Sequence, residues 1–445
     1  MTTGLYWFTQ DLRLDDNPAL THAANETDRL LCVYVHDPRL EQPNSLNSTR
    51  LGPRRRRFLD QALTDLDRQL QGLGHRLWLL GGDPVERLTA LISMTGVRRL
   101  YLTRPVGCYE QAQLDTLASR FPQLELSLHD GYTLYEQAQL ADLQHSLPQS
   151  FSQFRRAVEP LTLHTPLLAP RQLPPALACP TPLSAQTPFA RPLLNEQGSK
   201  QQDWFRGGEY AAQLHLEHYF STPLPLHYKE VRNELDGLEN GTRLSPWLAQ
   251  GSLSPRRVVQ RLRAYEQLEG ANDSTYWIFF ELLWREFFQW YARHHRHRLF
   301  RLQGIQSRPT LTSFYPQRFK SWCEGSTPWP LVNACMHQLK QTGWISNRGR
   351  QIVASCLVNE LQLDWRYGAA CFEQELIDYD VASNWGNWQY LAGVGADPRG
   401  KRHFNIEKQT QQYDPEGVFI DRWQGRARML AADTVDAADW PILPQ

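Results

Sequence analysis

Short apolar runs alternate with amphipathic stretches through about residue 130. Five runs read as strands: Gly4–Phe8, Leu30–His36, Arg76–Leu80, Arg99–Leu102 and Leu124–Leu128. Helical periods lie between them over Pro53–Gln71, Pro84–Met94 and Tyr109–Phe121. Strand and helix alternating at this spacing predict right-handed βαβ crossovers and a parallel sheet. No GxGxxG follows the first strand, so a dinucleotide fingerprint is absent, and the crevice at the carboxyl ends of the strands stays a candidate ligand site.

Between 160 and 200 the apolar period disappears, and nine of the 29 prolines fall there. Proline removes a backbone donor and fixes φ, which predicts a long irregular connection. From about 202 to 425 the pattern is helical. Residues 275–298 are aromatic-rich and apolar nearly all round, so a buried helix is expected. Further helices are expected over Trp329–Gln341, Asn347–Gln362 and Tyr367–Ile377. The division is thus an α/β domain at 1–135, a connector at 136–201, an all-helical domain at 202–425 and a short tail at 426–445.

Composition narrows the function classes. The chain has 445 residues, with 47 basic and 47 acidic side chains and no net charge. A nucleic-acid site must therefore be a local basic face. No run approaches the ~18 apolar residues of a membrane span, and no basic and apolar leader is visible, so a cytoplasmic protein is expected. Seven cysteines form no CxxC pair and read as packed thiols, with no metal site expected. Fifteen tryptophans are an unusual enrichment.

Four constellations carry candidate chemistry. Glu281 and Arg285, one helical turn apart, share a face with Trp277 and Trp284. They form either an intrahelical ion pair or a carboxyl and guanidinium aimed into an aromatic pocket. Residues 376–390 place Asp378, Asp380, Asn384 and Asn387 among aromatics, as a capped loop or as a clamp for a heterocycle edge. In 241–256, Thr242, Ser245 and Ser254 are N-cap residue types, and Arg243 beside a helix start suits phosphate. Arg285, Arg293, Arg296, Arg298 and Arg301, with Arg348 and Arg350, offer a nucleic-acid face or a solvated helix end. The run Arg54–Arg57 reads as an exposed helix start.

These residues also lie in longer motifs. LYWFTQDLRLDDNPAL, WREFF, GWISNRGRQ, LDWRYG and DYDVASNWGNWQYLAGVGADPR resemble signatures of the photolyase/cryptochrome family, in its order, from about residue 4 to 423. QFRRAVEP, YKEVRN, ANDSTYW, SNRGRQ and YDVASNWGNWQY look most like its cryptochrome DASH branch. The resemblance implies a Rossmann-like α/β antenna domain, a proline-rich connector and a helical domain holding FAD. By motif, Tyr228, Thr242, Arg243, Leu244 and Ser245 would hold the diphosphate and ribitol. Arg285, Asp378 and Asp380, with Trp277, Glu281, Asn347 and Arg350 around them, would address the isoalloxazine and adenine, and Asn384 would face flavin N5. Glu281, Trp284, Asn347, Gln351 and Tyr390 would line the cavity for a flipped pyrimidine dimer, with Arg232, Arg348 and Gln409 on DNA.

The implied activity is light-driven electron transfer from reduced FAD that splits cyclobutane pyrimidine dimers. Single-stranded DNA is the preferred substrate, because extrusion from a duplex costs a few kcal/mol. The implied rival is a blue-light photoreceptor whose flavin state changes its contacts. Trp388 and Trp365 fall on the first two positions of the family's electron-transfer chain, but the third falls on Thr312, where Tyr315 or Trp322 would have to substitute. Tyr109 and Glu110 match the pair that binds the pterin edge of methenyltetrahydrofolate. A monomer is expected.

Overall fold

The computed structural model describes all residues except 1, 47, 146, 185–203, 308–311, 397–399, 401 and 427–445. The α/β half runs β1 (Thr3–Phe8), α1 (Pro18–Glu26), β2 (Arg29–His36), α2 (Pro53–Gly72), β3 (Leu77–Gly81), α3 (Pro84–Thr95), β4 (Arg99–Thr103), α4 (Cys108–Arg120) and β5 (Glu125–His129). The five strands are parallel in the order β3-β2-β1-β4-β5, with Leu5 opposite Leu31 and Leu100. Period-two alternation sends Leu5, Trp7, Leu31 and Val33 to one buried face and Tyr6, Phe8, Leu30 and Cys32 to the other. Helices cover both faces. α2 packs Phe58, Leu59, Ala62, Leu63, Leu66 and Leu70 inward at helical spacing. α1, absent from the sequence reading, is announced by Asn17, whose side chain caps Leu20 N–H, and by Pro18 at the first helical position.

Within the described connector, the Phe151–Val158 helix packs into the core of the helical half, and the irregular stretch from 160 to 180 runs along the α/β half. Leu30 pairs with Ala176 by an isolated bridge, and Cys179 and Leu183 enter one sheet-face core. The rest of the connector and all but Arg426 of the expected tail lie outside the described residues.

Beyond β5 the described residues form no further strand, only isolated bridges and helices. The central helix is Asp273–His295, capped by Asn272 accepting from Thr275 N–H. The helix expected over 347–362 ends at Ser355 and passes into a π-turn, Cys356–Glu360. Residues 381–392, open between loop and clamp in the sequence, are a helix with Asp380 as N-cap and Gly393 in the left-handed region. Arg54–Arg57 is not a free solvent face. Arg54 donates to Lys340 O at 2.8 Å, and Arg55 lies over the Tyr379 ring at 4.3 Å and donates to Glu373 O, so this helix start docks on the helical half.

Candidate functional site

The helical half encloses a cavity of about 620 Å³. The Asp273–His295 helix sends Trp277, Glu281, Trp284, Arg285 and Phe288 to it from one face. The Asn347–Ser355 helix, capped by Ser346, adds Asn347, Arg348, Arg350 and Gln351. The Val381–Ala392 helix adds Ser383, Asn384, Asn387, Trp388 and Tyr390. Tyr228, Arg232, Thr242, Arg243, Leu244, Ser245, Asp378 and Asp380 complete the set, so the residues predicted around the cofactor meet here, Glu110 excepted. Sequence reasoning missed Trp344 and Phe288, both lining residues, and the buried Gln289 behind Asp380. The cap pair Asp380 and Gly393 is the signal that would have placed Ser383 and Asn387 on the same helix as Asn384.

Of the two readings left open for Glu281 and Arg285, the intrahelical ion pair does not form, and both residues line the cavity. Arg285 donates to Tyr132 O at 2.8 Å and to Leu248 O at 3.2 Å, with its guanidinium 4.3 Å from the Tyr132 ring centroid. Glu281 instead pairs with Arg232, which lies over Trp277 at 4.4 Å. Arg232 is therefore a wall of the cavity. Burial raises the Glu281 carboxyl above its ordinary range, and Arg232 opposes this. Trp284 is held flat by Phe151, stacked at 3.8 Å and 11°, and meets Tyr390 edge-on at 6.0 Å.

Asp380 has its oxygens engaged: Oδ1 accepts from Ser383 N–H at 2.6 Å and Gln289 Nε2 at 2.9 Å, and Oδ2 from Tyr132 at 2.7 Å. Asp378 differs. Its Oδ2 takes Arg350 at 2.7 Å, while its buried Oδ1 has no partner among the described residues. Arg350 is thereby an ion-pair partner of Asp378 inside the cavity. Asn384 is aimed by its Nδ2 donating to Ala369 O at 3.0 Å.

Arg243 is the most exposed to unmet demand. It is buried, sits at φ 53°, lies over Trp344 at 4.0 Å and donates to the carbonyls of Leu238 and Gly237. No carboxylate forms an ion pair with it among the described residues, and burial pulls its pKa down to about 10. The Trp344 Nε1–H is likewise buried without a partner among the described residues. An unpaired buried cation, an orphan N–H and an orphan carboxylate oxygen in one cavity fit a ligand carrying both anionic and polar-edge groups. Ser245 is the first residue of the Ser245–Gln250 helix and not its cap, which is Leu244; Ser254 caps Pro255–Glu269 and stands outside the cavity.

Behind the cavity lie aromatic contacts. Trp388 packs on Gly368, where a Cβ would fall 2.2 Å from its ring, one turn from Trp365 on the Trp365–Glu375 helix. Trp388 also meets Trp322 at 6.2 Å and Phe372 at 5.2 Å, whereas Trp365 meets Trp385 at 5.8 Å. Of the two substitutes named for Thr312, Trp322 is the one in contact with Trp388.

The other basic candidates are largely occupied. Arg293 pairs with Asp130 at 3.1 Å, Arg298 donates to Ile305 O, and Arg301 contacts His297. Arg348 is half-buried: it reaches Asn233 Oδ1 at 3.3 Å and lies over Tyr413 at 5.0 Å. Gln409 does not line the cavity but stands one turn before Tyr413 in the Ile406–Tyr413 helix. Glu110 folds its carboxyl over Gly107 at the start of α4, where a Cβ would meet Oε2 at 2.0 Å, and burial raises its pKa. Tyr109 is exposed beneath Arg50. All seven cysteines are free. Among the described residues no group of three His, Cys, Asp or Glu could hold a metal, and no helix is long and apolar enough to cross a membrane.

Comparison with known proteins agrees with this geometry. Residues 4–175 match the family described as DNA photolyase, and residues 277–441 match the FAD binding domain of DNA photolyase. The cryptochrome DASH of Vibrio parahaemolyticus is 50% identical over 445 residues, covering 99% of this chain and 98% of the relative. A solved cryptochrome from Synechocystis sp. superposes with TM-score 0.87 at 37% identity, over 95% of this chain and 88% of that one. A bacterial class III photolyase from Agrobacterium tumefaciens superposes with TM-score 0.81 at 28% identity, over 95% and 86%. Motifs, fold and cavity lead to one conclusion: the chain belongs to the photolyase/cryptochrome family, on its cryptochrome DASH side, and its helical half is an FAD-binding domain.

Proposed function

We propose that the protein repairs cyclobutane pyrimidine dimers in DNA by light-driven electron transfer, with single strands preferred. The observation that carries this reading is Glu281: a carboxyl raised by burial, held by Arg232, in one cavity with Trp284, Asn347, Gln351 and Tyr390. When bound, FAD supplies the light-excited electron that opens the dimer. The chain supplies everything else. Arg243, with Tyr228, Thr242, Leu244 and Ser245, answers the diphosphate and ribitol, and its missing counter-charge is the reason for that assignment. Arg285, the free Oδ1 of Asp378 and the amide of Asn384 address the flavin edge, while Asp380 and Arg350 orient them.

On the substrate side, the Phe151–Trp284 stack is a rigid wall for an extruded pyrimidine. Glu281 donates or shares its proton at the dimer's carbonyl edge, stabilising negative charge as it develops. Tyr390 offers less stacking area than an indole, so it returns less of the few kcal/mol needed to extrude a dimer from a duplex. Arg348, with Gln409 nearby, grips the phosphate backbone. Trp388, continued by Trp365 or by Trp322, delivers electrons from the exterior. Folate at the exposed Tyr109, a monomeric cytoplasmic protein and the domain limits 1–135, 136–201, 202–425 and 426–445 belong to the same reading.

The test is to irradiate FAD-loaded, reduced protein with dimer-containing oligonucleotides, single- and double-stranded, and count restored thymines. Glu281→Ala is expected to retain FAD and lose repair on the scale of a preorganised charge-stabilising donor, about 3 kcal/mol. Repair absent on every strand with the unaltered protein sinks the proposal and leaves a photoreceptor as the better reading, whereas repair undiminished in Glu281→Ala removes the role given to Glu281.

A further inference from the structure

A second cavity, of about 380 Å³, opens beyond the carboxyl end of β4. Its walls are the loop 104–108, the residues Gln137, Leu140, Leu143 and Leu147, and the last turns of the Asp273–His295 helix, so it lies on the seam between the two halves. The floor is apolar: Val106, Leu140, Leu143, Leu147 and the Trp290 indole. The rim is cationic. Neither Tyr109 nor Glu110 lines it; Tyr109 turns away to meet Phe300 at 5.6 Å.

The charges around this cavity do not balance. Arg104 Nε and Arg293 Nη1 donate to the same oxygen, Oδ1 of Asp130, at 3.2 and 3.1 Å. The other Asp130 oxygen accepts Gln137 N–H at 2.8 Å. Arg104 and Arg293 thus share one carboxylate, Arg296, exposed at the rim, makes no ion pair among the described residues, and the buried Glu286 is the further negative charge felt by Arg293. Among the described residues Arg293 also keeps a buried Nε–H with no acceptor, while its head lies 4.8 Å from the Trp290 ring centroid. A buried, undercompensated cation and an orphan donor are costly unless an anion and an acceptor arrive together.

We propose that this seam cavity is a binding site for an organic anion with a flat apolar body of one or two rings. The ring lies on Trp290 and the leucines, and the anionic head meets Arg293 and Arg296, which closes both deficits at once. Small-molecule sites run from roughly 300 to 1,000 Å³, so a cavity at the low end admits a small occupant only. Because both halves contribute wall, an occupant also tightens the seam and raises the unfolding temperature.

The experiment uses the FAD-loaded full chain, so that the flavin cavity is filled, and takes 1-anilinonaphthalene-8-sulfonate as probe, read by energy transfer from tryptophan. The probe is expected to bind, to be displaced by 1-naphthoate, and to be displaced at least about tenfold less well by neutral 1-naphthylmethanol, a gap of one charge-assisted contact. Arg296→Glu, at an exposed position that leaves the core intact, is expected to weaken naphthoate about tenfold or more, and Gln111→Glu on the same rim to weaken it as well. No probe binding to the loaded protein, equal displacement by acid and alcohol, or unchanged affinity in both variants overturns the site. None of these outcomes bears on dimer repair, which is measured separately.

Discussion

The loop at the end of β1 and the cavity of the helical half are both lined by buried arginines and acids, yet they are in opposite states. At the loop every demand is met from within the chain. Arg13 donates to Asp15 O, Gly251 O, Asp16 O and Gly131 O, and Arg256 pairs with Asp16 at 3.0 Å, both nearly fully buried. Glu209 accepts Leu14 N–H at 2.7 Å and Asp15 N–H at 2.9 Å. In the cavity, among the described residues, Asp378 Oδ1, Trp344 Nε1 and Arg348 Nε have no hydrogen-bond partner, and Arg243 makes no ion pair. Open parallel sheets usually hold ligands outside the strand ends at the switch point, here between β1 and β4. This protein fills the β1 side of that crevice with its own second half. Buried charge that is satisfied fastens the molecule, and buried charge that is not marks a ligand.

That contrast breaks most easily at the fastening. Arg256→Ala strands Asp16 as a buried charge and is expected to destabilise by about 3–5 kcal/mol, equally with and without FAD, in chemical denaturation. A loss below about 1 kcal/mol, or one that vanishes when FAD is bound, reverses the assignment.

Glu209 sharpens it through pH. Burial raises this carboxyl to about 7. The folded state therefore holds a proton that the unfolded state has released, and its contribution falls as pH rises from about 4.5 to 7, by about 3 kcal/mol in all. Glu209→Gln is expected to flatten that part of the stability profile; an unchanged slope places the titration elsewhere.

On the cavity side, Arg243→Gln is expected to leave the FAD-free protein within about 1 kcal/mol of its parent. FAD release, followed by flavin fluorescence, should show a loss of about 1.5–3 kcal/mol, the range for hydrogen bonds to a charged group. The reverse pattern makes Arg243 a fastening residue.

The smallest effect concerns DNA. With Arg232, Arg293 and Arg350 in ion pairs, about three phosphate contacts remain, so log K for single strands should fall with log salt at a slope of about −2. Arg348→Ala should reduce the slope by about 0.7 and weaken damaged and undamaged strands alike. A change confined to damaged strands moves Arg348 into the pocket.

Much of the fold was legible because period is a local property. The five strands fall within a residue or two of their expected limits, and α2, α3 and α4 likewise. α1 and the Val381–Ala392 helix were overlooked for a local reason too: their cap residues, Asn17 with Pro18 and Asp380 with Gly393, look like turn chemistry until the residues between them are tested for helical spacing. The site was legible as membership, since motif residues from distant segments do share one cavity.

Partnership was not. Glu281 and Arg285 stand one turn apart and suggest a pair, but Tyr132 O lies 153 positions from Arg285 and outcompetes it, and Arg232 reaches Glu281 across 49 positions. The sequence by itself determined which residues are apolar at which period, hence the elements and the face each buries. Only the tertiary structure decided which charges would be neutralised and which left waiting, because a charge is answered by whatever lies within a few ångströms, and that neighbour is set by how the elements pack and not by where they stand in the chain.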